Sequence, residues 1–230
     1  RFHIVCGYYN TAAGSSGYRY TDNPATVTSS GWTSPATTFT TQYNVALASN
    51  GNTLYALPSG STWNVTTMYK STNGGANWSA TGTTPAFTSS QAWYCMAVAV
   101  DPNNANNVIV GSLDCYKTTN GGTSWTKISN WVGTTGQYVH ADQQIITWRN
   151  NNVVLFGSDG GIHYSANGGT TITDRNVGLR LKQFYSVAIH PTSTNYFLAG
   201  AQDNGTHQLN GAGLTTSVEV TGGDGAWTKI

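Results

Sequence analysis

Acidic and imidazole side chains are scarce in this chain, with nine Asp and Glu and five His among 230 residues. Six of them stand in short segments, several of them Gly-rich, next to apolar runs. Asp114 (Gly111-Ser112-Leu113-Asp114), Asp159 (Gly157-Ser158-Asp159-Gly160-Gly161) and Asp203 (Gly200-Ala201-Gln202-Asp203-Asn204-Gly205) each follow such a run. His140 and Asp142 (Val139-His140-Ala141-Asp142-Gln143) precede one, and Asp224 (Gly222-Gly223-Asp224-Gly225) closes another. Two carboxylates facing one groove can act as acid and base, or acid and nucleophile, in glycoside hydrolysis. Asp159, Asp203 and Asp142 are the candidates for that chemistry. Carboxylates joined by Asn204, Gln202 and backbone carbonyls would instead suit Ca²⁺, a hard cation that takes six to eight oxygens. Asp159, Asp203 and Asp224 are the candidates for that ion. A plainer role competes with both, since an Asp beside Gly forms turns and caps backbone N–H groups with its carboxylate.

What must position these residues is a repeat. Tyr69-Lys70-Ser71-Thr72-Asn73-Gly74-Gly75-Ala76-Asn77-Trp78 returns as Tyr116-Lys117-Thr118-Thr119-Asn120-Gly121-Gly122-Thr123-Ser124-Trp125. A third copy runs Tyr164-Ser165-Ala166-Asn167-Gly168-Gly169-Thr170-Thr171-Ile172, and weaker ones surround Asp22 and Asn210. The spacing, about 43 to 51 residues, is that of a repeat architecture. In each copy an alternating run suits a strand, and Asn-Gly-Gly supplies residues that tolerate positive φ in a tight hairpin turn. Asp22, Asn73, Asn120, Asn167 and Asn210 are therefore read as structural turn residues. Met96–Val100, 107–111, 115–119 and 124–128 give the clearest set of four strands, a to d, as a propeller blade requires. No stretch keeps a helical period.

The copies resemble the Asp-box, or BNR, hairpin (Ser-x-Asp-x-Gly-x-x-Trp) of sialidase-like, sortilin-like and xyloglucanase-like β-propellers, with Asn at 73, 120 and 167 where that family has Asp. The resemblance implies an all-β fold, a β-propeller of four-stranded antiparallel blades. About five blades are expected, at 1–40, 41–85, 91–132, 138–178 and 182–225, in a single segment spanning 1–230. It also implies that this segment belongs to a larger propeller; the alternative is that Ala226–Ile230 adds a strand and closes a five-bladed ring. Val-His-Ala-Asp-Gln, Gly-Ser-Asp-Gly-Gly-Ile, Gly-Ala-Gln-Asp-Asn-Gly-Thr and Gly-Gly-Asp-Gly are similar to segments of large secreted Bacteroidetes-type propeller proteins, glycosyl hydrolase-like and carrying type IX secretion signals.

In an up-and-down blade the a–b and c–d turns share one rim, and the b–c and d–a connections share the other. The Asn-Gly-Gly turns then lie opposite all six Asp and His residues. His140, Asp142, Asp159, Asp203, Asn204, Asp224 and Trp131 form the candidate ligand-binding set. Trp63, Trp93 and Trp148 join Trp131 as candidate sugar-stacking platforms. A sialidase would need three clustered arginines and a Tyr/Glu pair, and the one Glu, Glu219, sits within a strand.

Composition narrows the function further. Charged residues are only 8% of the chain, with Gly, Thr, Ser and Asn in the polar role, and the net charge is +1. With no Lys/Arg cluster, neither nucleic acid nor an anionic membrane is expected as a partner. No apolar run approaches the roughly 18 residues of a membrane helix, so no membrane insertion is expected. Cys95 and Cys115 either form a disulfide suited to a secreted protein or are two buried thiols, and Cys6 is left over. The abrupt start at Arg1 reads as a processed product or part of a longer chain. These observations point to an extracellular or cell-surface recognition and adhesion module for polysaccharide or a surface protein. A glycoside hydrolase is the alternative, and an architectural subunit of a surface filament the second.

Overall fold

The computed structural model describes residues 1–5, 17–39, 43–132, 136–149, 152–179, 182–211 and 216–230. They fall into two compact units, Arg1–Val177 and Gly178–Ile230. No helix occurs among the described residues. The first unit opens with the antiparallel pair β1 (Phe2–Val5) and β2 (Tyr18–Thr21), which a bridge from Tyr20 to Thr33 extends. Three four-stranded sheets follow, each meandering in chain order. The second blade is β3 (Val45–Asn50), β4 (Thr53–Pro58), β5 (Thr67–Ser71) and β6 (Ser79–Thr83). The third is β7 (Ala97–Asp101), β8 (Asn104–Gly111), β9 (Cys115–Thr118) and β10 (Thr126–Lys127). The fourth is β11 (Gln143–Trp148), β12 (Val154–Ser158), β13 (Gly161–Ser165) and β14 (Thr173–Asp174). The second unit holds one such sheet, β15 (Phe184–Ile189), β16 (Tyr196–Ala201), β17 (Thr206–Asn210) and β18 (Val218–Thr221). All-β meanders of this kind are propeller blades.

Alternation along the inner strands decides the packing of the first unit. Side chains two apart share a face, so the run Leu54–Leu57 serves two cores. Leu54 and Ala56 pack with Tyr18, Tyr20, Phe39 and Trp78. Tyr55 and Leu57 pack with Met68, Phe87, Val100, Val108 and Val110 of the next seam. Ile109, between those two valines, faces the other way and joins Ala97, Ala99, Cys115, Ile146, Val154 and Phe156. Burying each large aliphatic side chain contributes about 1.5–3 kcal/mol.

The Asn-Gly-Gly turns repeat atom for atom. The Ser71 hydroxyl donates to Asn73 Oδ1 (3.0 Å) and accepts Gly75 N–H (2.9 Å), while Asn73 Oδ1 accepts Asn77 N–H (2.9 Å). Thr118, Asn120, Gly122 and Ser124 repeat this set, as do Ser165, Asn167, Gly169 and Thr171. Both glycines of each turn have positive φ, and a Cβ on Gly75 would lie 1.7 Å from the Tyr18 hydroxyl. The first glycine of each turn also ties the c–d turn to the a–b turn, or to the first residues of strand b, in its own blade. Gly74 donates to Asn52 O, Gly121 to Asn106 O and Gly168 to Asn152 O, at 2.7–2.9 Å. In the second unit Gly211 donates to Asn195 O at 3.2 Å. The a–b and c–d turns therefore share a rim, as the sequence implied.

Five expectations need correction or restriction. Asp22 is not the turn acceptor of the first repeat; its carboxylate pairs with Arg1 (2.7 and 2.9 Å), and the Thr21 hydroxyl instead accepts Asn23 N–H. Cys95 and Cys115 are separate buried thiols rather than a disulfide. Since β8 separates the strands they flank, they lie about two strand spacings, roughly 9–10 Å, apart, beyond the roughly 7 Å reach of a disulfide. Ala226–Ile230 is not a ladder strand; Thr228 N–H donates to the Ser186 hydroxyl (2.7 Å) and its own hydroxyl to Leu198 O (3.3 Å), within the second unit. Cys6 lies outside the described residues, and the Asn210 turn is described only as far as Gly211.

Candidate functional site

In the fourth blade β13 separates the Asp159-Gly160 turn at its start from the Asn167 turn at its end. The acids and the Asn-Gly-Gly turns of the first unit therefore occupy opposite rims. On the acid rim two carboxylates converge on one pair of consecutive residues. Asp159 accepts the Tyr94 hydroxyl at 2.5 Å and Gln144 Nε2 at 3.1 Å. Asp142, held at φ 63°, accepts the Cys95 thiol at 3.4 Å. Burial pushes that thiol's pKa up to about 12, and the charges of Asp142 and Asp159 push it the same way. It stays a neutral donor, not a thiolate nucleophile.

His140 braces this arrangement from beside it. Its Nδ1 lies 3.0 Å from Ala141 O, and Gln143 Nε2 donates to its carbonyl. The imidazole covers Gly160 so closely that a Cβ there would fall 2.2 Å from the ring. Asn176 closes the same turn, donating to Gly160 O (3.0 Å) and accepting Ile162 N–H (2.8 Å). Asp114 has a fastening role: it accepts Trp131 N–H (3.0 Å) and pairs with Lys127 (2.8 Å).

Aromatic side chains stand on the same rim. Trp93 and Tyr94 are 57% and 39% exposed with ring centroids 5.4 Å apart, and Trp131 is 42% exposed. Of the other two candidate platforms, Trp63 packs edge-on against Tyr43 at 4.7 Å. Trp148 belongs to the seam between the third and fourth blades, with Lys117 5.7 Å above its ring, so it is not a rim platform. Tyr94, Gln144 and Asn176 were not legible as site residues; only the neighbouring Trp93 drew attention to the segment.

In the second unit Asp203, at φ 54°, and Asp224 meet at one end of the sheet, where Asp203 N–H donates to Asp224 Oδ1 at 2.8 Å. Asn204 Nδ2 donates to Gln202 O (2.9 Å), and Gln202 Oε1 accepts the Tyr185 hydroxyl. Asp224 caps the b–c turn, the plain role for an Asp among glycines. Among the described residues no group of three or more His, Cys, Asp or Glu side chains converges as a metal site. Asp159, Asp203 and Asp224, the Ca²⁺ candidates, belong to no such group among the described residues.

No protein-family model and no curated protein matches the chain. Solved structures give partial fold likenesses. A GH74 enzyme from Niastella koreensis is 21% identical with a TM-score of 0.47, over 92% of this chain and 30% of that one. A GH74 xyloglucanase from Xanthomonas campestris is 16% identical with a TM-score of 0.46, over 78% and 32%. YCF48 bound to D1 peptide is 13% identical with a TM-score of 0.42, over 73% and 49%. The chain thus spans under half the length of each. At this level the likenesses concern fold alone, and the blade assignment rests on the strand pairing above.

Proposed function

We propose that the acid rim of the first unit is a recognition surface for polysaccharide, carried by an extracellular or cell-surface protein of Asp-box kinship. The observation that carries this reading is the exposed Trp93–Tyr94 pair, whose phenol is fixed by Asp159 at 2.5 Å. Sugar rings present C–H faces ringed by hydroxyls. An aromatic face set beside a carboxylate and a carboxamide (Gln144) matches both features, and loops on a rigid scaffold are the usual place for such contacts. Low charge on the rest of the chain fits a neutral ligand better than an ionic one.

Affinity electrophoresis in gels containing a soluble neutral glucan tests the reading. Trp93→Ala is expected to abolish retardation or weaken it roughly five- to thirty-fold, the loss of a contact worth about 1–2 kcal/mol. Unchanged migration of wild type across a panel of plant and bacterial polysaccharides would remove it.

One observation favours a second reading, glycoside hydrolysis: Asp142 and Asp159 approach the same two residues, Tyr94 and Cys95. A carboxyl separation of about 5–5.5 Å or about 6.5–9.5 Å would suit retaining or inverting chemistry. Reducing-sugar release that disappears in both Asp142→Asn and Asp159→Asn, with binding retained, would select hydrolysis over recognition.

A further inference from the structure

His163 stands four residues before Asn167, where the other repeats place Tyr69 before Asn73 and Tyr116 before Asn120. It is 2% exposed, lies opposite Phe156 and meets Tyr138 in a T-shaped contact with ring centroids 6.2 Å apart. Among the described residues neither ring nitrogen has a hydrogen-bond partner. Gln143 Oε1 and Ser158 Oγ, on the same sheet, are likewise buried with no partner among the described residues. Gln143 lies opposite Ser158, and Ser158, Phe156 and His163 alternate onto one face, the face whose Phe156 and Val154 pack against the third blade. The fourth blade thus sets three buried polar side chains on the sheet whose Ile146, Val154 and Phe156 pack against Ala97, Ala99 and Ile109 of the third.

A neutral imidazole brings one donor and one acceptor to such a place; an imidazolium brings two donors and a charge. The groups around it give the cation little help. Asp174 on β14, exposed and committed to Asn176 N–H, attracts it, while His140 in the connection before β11 repels it. The third blade presents Ala97, Ala99, Ile109 and Cys115, and burial pushes that thiol up to about 12, so it stays neutral. Tyr138 meets the imidazole in a T-shaped ring contact. Burial outweighs these charges and holds the His163 pKa below its ordinary 6.5.

We propose that the seam between the third and fourth blades is an acid-sensitive joint with His163 as its trigger. Neutral His163 is tolerated in the seam; protonated His163 leaves it, and the two blades part beneath the Asp159 rim. Unfolded chain takes up the proton near pH 6.5 and folded chain only below that. The contribution of neutral His163 is complete above pH 6.5 and drains away as pH falls toward the folded pKa. Each unit between the two values lowers the folded-to-unfolded ratio about tenfold. The joint is a property of the seam and stands whether or not the rim binds polysaccharide.

Two measurements test it. In wild type, the His163 Cε1–H NMR resonance, assigned with His163→Tyr or His163→Gln, is followed from pH 8 to 4.5. It is expected to keep its neutral shift through pH 6.5 and to titrate only below. In urea, the wild-type unfolding midpoint is expected to fall between pH 7.5 and 5 by more than that of His163→Tyr, which carries the residue of the sister repeats; the remaining histidines cancel in the difference. A His163 midpoint at or above 6.5, or parallel wild-type and variant midpoints across this range, would overturn the proposal. If neither variant folds, replacing His3, His140, His190 and His207 one at a time assigns the His163 resonance by elimination and leaves the NMR titration decisive.

Discussion

The two rims of the first unit are built on different principles. On the turn rim the bonds of the Asn carboxamide oxygen and the Ser or Thr hydroxyl close within four residues, and the same set is copied at Asn73, Asn120 and Asn167. On the acid rim the carboxylate bonds are unrepeated and join distant segments, such as Tyr94 to Asp159 across 65 residues. The turn rim holds the blades in shape, so each of its bonds is a folding bond. The acid rim joins loops that the strands already fix, so its groups are available to contact something else.

That contrast can be broken experimentally, most sharply at a glycine. Gly75→Ala places a methyl carbon against the Tyr18 hydroxyl at φ 82°. It is expected to cost about 3 kcal/mol or more through backbone strain and overpacking, read as a drop in urea midpoint. Ser165→Ala removes a buried hydroxyl that accepts Gly169 N–H and donates to Asn167. A loss of about 1–3 kcal/mol is expected, measured the same way. Asp159→Asn on the opposite rim should change stability by less than about 1 kcal/mol while weakening glucan retardation. A large stability loss there would erase the distinction between the rims. Smallest of all, Asp22→Ala removes a carboxylate from an exposed ion pair with Arg1, and no change in melting temperature is expected.

Much of this was legible in the sequence because turn chemistry is local. Asn-Gly-Gly fixes where a hairpin reverses, and alternation fixes which side chains enter a seam. Strand d was read less well. Residues 124–128 suggested a full strand, yet only Thr126 and Lys127 pair with β9. In the fourth blade pairing falls on Thr173 and Asp174, after the end of the third repeat copy at Thr171 and Ile172. Their N–H groups are already taken, Thr171 by Asn167 Oδ1 and Ile172 by Gln137 Oε1. The acid rim was placed correctly as a rim, but its pairings were invisible. Nothing in the order of residues tells Tyr94 that it will meet Asp159, and a single Cys-Cys spacing could not reveal that β8 would run between the thiols.

The interleaved β8 has a consequence for how this protein can vary. Val108 and Val110 look toward one neighbour and Ile109 toward the other, so adjacent codons govern separate contacts. Trimming Ile109 loosens one junction and spares the next, whereas trimming Val108 does the reverse. Each junction can drift in size and tightness on its own, and a stack of sheets made this way can be retuned one joint at a time.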